Sequence, residues 1–392
     1  MSAVRIALAV GFALVLAGPL SAAEDRSGFV VTLGRDTTAI ERVTRTAARL
    51  EVEQVTRAPR VLRRHYVYQL DSKGSIRDFS IVVTAPGAAP DAPPVQVLDG
   101  KRTRDSVITE VRAGTNVRTV RAAVPNDGVL ISASSPFPTY EQALMQLAKG
   151  KADSLRTTMY FIGAGNADWL SLHRLGRDSM SVLTYHEDLF HMRTDRDGRV
   201  LGALPISGTG KYGAVRVASL DLEGITAAWV AAEKASGAMG ALSVRDTVKA
   251  SAGGAALWVD YGRPSKRGRV VYGGVVPYGE VWRTGANAAT QFRTDRALDF
   301  DGAALPPGTY TLWTIPTASG WKLVVNSETG QWGTDHKPDK DILKLDMKVD
   351  TLPEAVERFT ISIEPVMDGG DLRLDWDTTR ASVRFRVAAA AN

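Results

Sequence analysis

The sequence predicts a mainly β protein in two parts. The first is an antiparallel β-sheet or half-barrel with one or two packed helices; the second is a β-sandwich of jelly-roll type. Three observations carry this reading. Short runs of alternating apolar and polar residues recur along the chain, bounded by Gly, Pro, Asn and Asp. Only two stretches show helical spacing. Tryptophan is concentrated late, at Trp258, Trp282, Trp313, Trp321, Trp332 and Trp376, with only Trp169 and Trp229 before them.

Composition narrows the function classes. The 392 residues are 44% hydrophobic and 23% charged, which fits globular domains and excludes disordered, collagenous and coiled-coil chains. Cysteine is absent. A disulfide framework, thiolate catalysis and cysteine-ligated metals are therefore excluded.

Met1 to Ala23 reads as a secretory signal peptide. Arg5 gives the positive start, and Ile6 to Leu16 is a nearly unbroken apolar run. Gly18 and Pro19 break it, and Ser21-Ala22-Ala23 offers small residues for cleavage after Ala23. No later stretch is long and apolar enough for a transmembrane helix. The expectation is a periplasmic or secreted bacterial protein with no transmembrane segment once the signal is removed. A cysteine-free chain suits an oxidising compartment, because no thiol can mispair there.

The N-terminal part, residues 24–243, reads as antiparallel strands. His65–Leu70 and Ser75–Val83 flank the turn Asp71-Ser-Lys-Gly74; Phe190–Arg193 and Arg199–Leu204 flank Asp195-Arg-Asp-Gly198. Ala85 to Pro94 is a Pro/Ala loop that cannot hold a central strand. Tyr140 to Lys149 reads as a helix with Thr139 as N-cap. Leu222 to Ala235 reads as a second, with Ile225, Ala228, Trp229 and Ala232 on one face and Ser236-Gly237 ending it. The basic residues Arg57, Arg60, Arg63, Arg64, His65, Lys101, Arg102 and Arg104 read first as a strand's wet face and second as an anion-attracting patch. Nucleic acid is not expected, since no recognition motif occurs. Over Gly28 to Asp221 the pattern is weakly similar to the lipoprotein-carrier group, whose half-barrels hold a hydrophobic ligand under helical lids. No diagnostic motif supports that similarity, and it is an analogy of fold.

A Gly/Ala/Ser-rich run from Gly237 to Gly254 marks the boundary, and the sandwich is expected over residues 244–392. Ala256–Tyr261 alternates well, Gly262–Gly268 is a polar turn, and Arg269–Gly273 resumes the strand pattern. Thr290–Thr294, Gly308–Ile315, Trp321–Asn326, Phe359–Ile363 and Ser382–Val387 each read as strands. Several segments here carry a family pattern: Tyr261-Gly-Arg-Pro-Ser-Lys-Arg-Gly-Arg269, Gly273-Gly-Val-Val-Pro-Tyr-Gly279, Val281-Trp-Arg-Thr-Gly-Ala-Asn-Ala-Ala-Thr290, Leu305-Pro-Pro-Gly-Thr-Tyr310 and Gln331-Trp-Gly-Thr334. Together they closely resemble the domain-of-unknown-function 2911 (DUF 2911) family, in order from about Val248 to Val387. One departure is Asp335-His336, where the family pattern has an aromatic residue. The resemblance implies a bacterial exported β-rich domain and no particular reaction.

The candidate ligand site is Arg263, Lys266, Arg267, Arg269, Trp282, Arg283, Asn287, Thr290 and Trp332. Arginine forks and an asparagine amide suit carboxylate, phosphate or sugar hydroxyls. Tryptophan offers a stacking face, and Gly285 with Ala286 would let a ligand approach the backbone. The competing reading is architectural, with Arg283 and Asn287 tying down a loop and the tryptophans forming core.

Other motifs fail on spacing. His186 and His191 are five apart in strand-like sequence, unlike the i, i+4 pair of a zinc-protease helix. Gly208-Thr-Gly-Lys211 lacks the upstream glycine of a phosphate loop, and Asp168 stands where Gly163-Ala-Gly165 needs a third glycine. No Gly-x-Ser-x-Gly elbow occurs. Asp335, His336, Asp339 and Asp341 miss the spacing of a calcium loop and read as a solvated loop.

With no cofactor, metal or catalytic motif, the sequence favours a non-catalytic exported binding protein for a lipid, glycan or anionic small molecule. The alternatives are a hydrolase of envelope glycans or esters, with Arg283 fixing an anion and Asp260 or Glu280 carrying protons, and a structural or adhesion module.

Overall fold

The computed structural model describes residues 25–89 and 91–388. The signal-peptide segment lies outside the described residues. In chain order the elements begin with β1 (Asp25–Leu33), β2 (Asp36–Arg45), β3 (Arg49–Thr56), β4 (Leu62–Leu70), β5 (Ile76–Thr84), β6 (Gln96–Arg102), β7 (Ser106–Ala113), β8 (Asn116–Ala123) and β9 (Val129–Ile131). Helix α1 (Pro136–Lys149) precedes β10 (Ser154–Phe161), β11 (Asp168–Gly176), β12 (Ser179–Thr184), β13 (Leu189–Thr194), β14 (Val200–Ser207), β15 (Gly213–Val217) and helix α2 (Leu222–Ser236).

These fifteen strands form one sheet in the order β8-β7-β6-β5-β4-β3-β2-β1-β15-β14-β13-β12-β11-β10-β9. Two antiparallel meanders are joined where β1 pairs with β15, and among the described residues of this sheet only β9 runs parallel, beside β10. The sheet bends round α1 without closing. A hydrogen bond of 3.1 Å between the Thr109 and Tyr160 hydroxyls reaches from β7 to β10 across the interior. Alternation decides which side chains face inward. Tyr66 and Tyr68 on β4 point in with Leu50 and Val52 on β3, and pack with Phe137, Leu144 and Leu147 of α1. Helix α2 takes the opposite face, where Leu222, Ile225 and Trp229 cover Ile40, Val55 and Val61.

Both helices are where spacing put them, with one correction. Helix α1 starts at Pro136, with Ser135 at the N-cap position, and Thr139 lies inside the first turn donating to the Pro136 carbonyl at 2.8 Å. Prolines fit this turn because its N–H groups have no helical acceptor. Helix α2 is capped by the Asp221 carboxylate on the Gly224 N–H at 2.9 Å, and ends at Gly237. The basic run is largely a paired outer face: Arg63 bonds Glu53 and Glu223, and His65 bonds Glu51.

The second sheet holds β16 (Ser243–Ala252), β17 (Ala255–Pro264), β18 (Thr290–Thr294), β19 (Leu298–Phe300), β20 (Ala303–Leu305), β21 (Gly308–Pro316), β22 (Trp321–Asn326), β23 (Asp341–Val366) and β24 (Gly369–Val387). Its order is β16-β17-β18-β21-β22-β23-β24-β19-β20. Strand β23 turns the corner. Its first residues pair with β22, and from Lys348 onward it pairs with β24, through two register shifts between Thr351 and Thr360. The two layers thus formed enclose Tyr261, Trp282, Trp321, Phe359, Trp376 and Phe385. Arg269–Gly273 is not a strand: it turns back on itself through a single bridge between Tyr272 and Val276. Gly273 and Gly279, both at positive φ, make that compact loop possible.

Candidate functional site

A concavity of about 510 Å³ lies where the two sheets meet. One wall is the Glu187–Asp188 turn and the 207–212 loop of the first sheet, and the other is the Glu280–Asn287 segment of the second.

Arg283 sits at the junction. Its Nη2 donates to the Gly208 carbonyl at 3.3 Å, while its Nε is buried with no hydrogen-bond partner. Burial pushes its guanidinium down to about 10, against the opposing pull of Asp188 and Glu187. Lys211 faces the same space, and its ammonium has no hydrogen bond or ion pair among the described residues. Burial lowers its pKa, and the Arg283 charge lowers it further. Arg269 completes a set of three cations and is itself lowered by burial. Glu187 and Glu280 are carboxylates of the same lining. Asp188 is occupied, accepting from the Thr209 and Gly210 N–H groups, the latter at 2.7 Å.

The local backbone explains this placement. Thr284 and Asn287 both take positive φ, 53° and 63°, so the Trp282–Ala288 segment coils tightly. A Cβ on Gly262 would lie 2.1 Å from the Ala286 carbonyl, and one on Gly333 would lie 2.3 Å from Arg283 Cδ. Glycine at these two positions lets the loop rest on β17 and lets the arginine stem cross the chain. Gly285 is used in the same way: its face is taken by the Gly262 carbonyl, 2.9 Å from where a Cβ would stand, not left open for a ligand.

The structure brings four of the nine candidates into the cleft lining: Arg269, Trp282, Arg283 and Asn287. The other five are placed elsewhere. Arg263 is consumed by Asp246, the Phe359 carbonyl and Thr360. Lys266 pairs with Asp377 at 2.5 Å. Arg267 pairs with Asp36 of the first sheet at 2.6 Å and so clamps the two sheets together. Thr290 is fully buried and donates to the Thr284 carbonyl at 2.7 Å. Trp332 packs against His186, ring centres 5.0 Å apart and tilted by 34°, in a second contact between the sheets. Trp282 is mainly core, with Trp376 stacked on it at 5.9 Å and its indole N–H donating to the Gly285 carbonyl. Asp260 is held by Arg245 at 2.7 Å and does not line the cleft. His336 is no solvated-loop residue: it bonds Asp341 at 2.9 Å and packs edge-on to Trp313.

Sequence reasoning missed Lys211, Glu187 and Tyr212, all from the first sheet. The available signal was the Gly-Thr-Gly-Lys run, set aside because it fails as a phosphate loop.

Residues 243–385 match the model of a family described as a protein of unknown function, DUF2911. The C-terminal half thus resembles that family, as its motifs indicated. No curated protein matches the sequence. Among solved structures, a DUF1089 family protein from Pseudomonas aeruginosa aligns with a TM-score of 0.32 and 15% identity, over 43% of this chain and 90% of its own. A β-barrel-like DUF1849 protein from Brucella abortus aligns with a TM-score of 0.29 and 12% identity, over 50% and 95%.

Proposed function

We propose that this chain is an exported, non-catalytic binding protein that holds a small anionic molecule in the cleft between its two sheets. The observation that carries this reading is the half-buried guanidinium of Arg283, whose Nε is buried without a partner, beside the unpaired ammonium of Lys211. Two like charges partly withdrawn from water favour an anion between them, beyond what Asp188, Glu187 and Glu280 already offset. A cleft of this volume suits a small molecule. A lipid chain is the poorer fit, because α1 fills the concave face of the first sheet with Phe137, Tyr140, Leu144 and Leu147.

Titration calorimetry with acetate and inorganic phosphate tests the reading. Binding to the wild type that is lost in Arg283→Ala and Lys211→Ala is expected. If both anions bind the variants as well as the wild type, or bind neither, the reading fails. A stability loss in Arg283→Ala with no ligand effect would instead mark an architectural role. Export rests on the Met1–Ala23 pattern. N-terminal sequencing of the protein from a periplasmic fraction is expected to begin at Glu24.

Glu280 shares the cleft with Arg283, which keeps the hydrolase reading alive for that carboxylate alone. Turnover of an acidic ester that is abolished in Glu280→Gln would favour it.

A further inference from the structure

A second hollow of about 210 Å³ opens off the cleft, and the two share Ala58, Tyr212 and Leu242 in their walls. It lies on the inner side of the first sheet, beside the start of α1. Its wall includes Glu41, Arg64, Ser134, Phe137 and Tyr212. Glu41 is fully buried, and its Oε1 accepts from the Gln54 amide at 2.8 Å while its Oε2 has no partner. Arg64 spends one nitrogen on the Thr56 hydroxyl at 2.9 Å.

The hollow is too large for an isolated structural water. Its chemistry also rules against a single charge. An ammonium would meet Arg64 and the positive end of α1, and a phosphate or carboxylate would meet Glu41. What suits a carboxyl acceptor, a guanidinium donor and two aromatic faces together is a neutral group bearing several hydroxyls, each both donor and acceptor.

We infer that the side hollow is a sugar or polyol subsite, so that the molecule held in the cleft is an acidic sugar. Its anionic group lies at Arg283 and Lys211 and its hydroxyl-bearing body against Glu41 and Arg64. This deepens the anion-binding reading and rests on it.

The test compares paired probes by calorimetry: glucuronate, galacturonate and gluconate against acetate, and glucose 6-phosphate against inorganic phosphate. At least one sugar acid is expected to bind tenfold or more tightly than its bare anion, since hydrogen bonds to charged groups are individually strong. Glu41→Gln is expected to reduce that gain. Ala133→Phe, which plugs the hollow from an exposed position in its wall, is expected to remove it. Neither change should alter acetate or phosphate binding, which doubles as the check that both variants fold. Bare anions binding through Arg283 with no gain from any sugar acid would overturn the subsite and leave the cleft reading intact. A gain that survives the Ala133→Phe plug would overturn it too. If no anion binds at all, the cleft reading falls and the inference falls with it.

Discussion

The two sheets solve the problem of filling an interior in opposite ways. The first encloses a helix and carries charge inside. Glu141 of α1 is fully buried between Arg45 of β2, at 2.7 Å, and Arg216 of β15, and its Oε2 also accepts the Val200 N–H at 2.8 Å. The second sheet has no α-helix among the described residues and fills its interior with rings, where Trp282, Trp376 and Phe359 meet within 6 Å of one another. A helix laid on a sheet brings its own polar positions inward and needs partners for them. Two facing sheets can present apolar positions alone. Buried polar atoms without a partner occur in both sheets: Glu41 Oε2 at the hollow, and Arg283 Nε and Trp313 Nε1 in residues that line the cleft.

The largest effect should come from breaking the buried network. Glu141→Ala leaves two guanidiniums and a backbone N–H without their acceptor and is expected to cost about 5 kcal/mol. Urea unfolding would measure it, and a loss under 1 kcal/mol would mean that water reaches the network. Next, Trp376→Ala should cost about 4 kcal/mol through the cavity it opens. Its loss should be insensitive to salt and pH, unlike that of Glu141→Ala.

The smallest effect is a pH dependence confined to the first sheet. Burial raises Glu41 from 4.5 to about 7, against a weaker opposing hydrogen bond from Gln54. Between those values the folded chain binds more protons than the unfolded one. Stability should therefore fall as pH rises through that window, by up to about 3 kcal/mol, and level off above it. Arg64, Tyr66 and Tyr68 flank the group. Both tyrosines are held neutral by burial and do not titrate there. Glu41→Gln should flatten the profile from pH 5 to 8, and thermal melts across that range would show it. An unchanged slope would place the titrating group elsewhere.

The alternation of single strands, the hairpins at Asp71–Gly74 and Asp195–Gly198, the span of α2 and the family motifs after Ser243 were all legible in the sequence. Each depends on contacts within a few residues of chain, through turn chemistry or side-chain period. The long strands β23 and β24 were recognised only in part, because their exposed middle lacks apolar alternation and is held by partner pairing. The Arg283 loop was visible because its glycines and asparagine are local requirements of its coil. Its other wall was not. Lys211 and Glu187 reach the cleft because β13, β14 and β15 end beside the second sheet, fixed there by Arg267 on Asp36 and by His186 on Trp332. The same clamp withdrew Arg267 and Trp332 from the site. Local sequence set which residues carry charge and which can turn. Only tertiary packing decided which charges were left without a partner, because pairing depends on proximity between segments far apart in the chain.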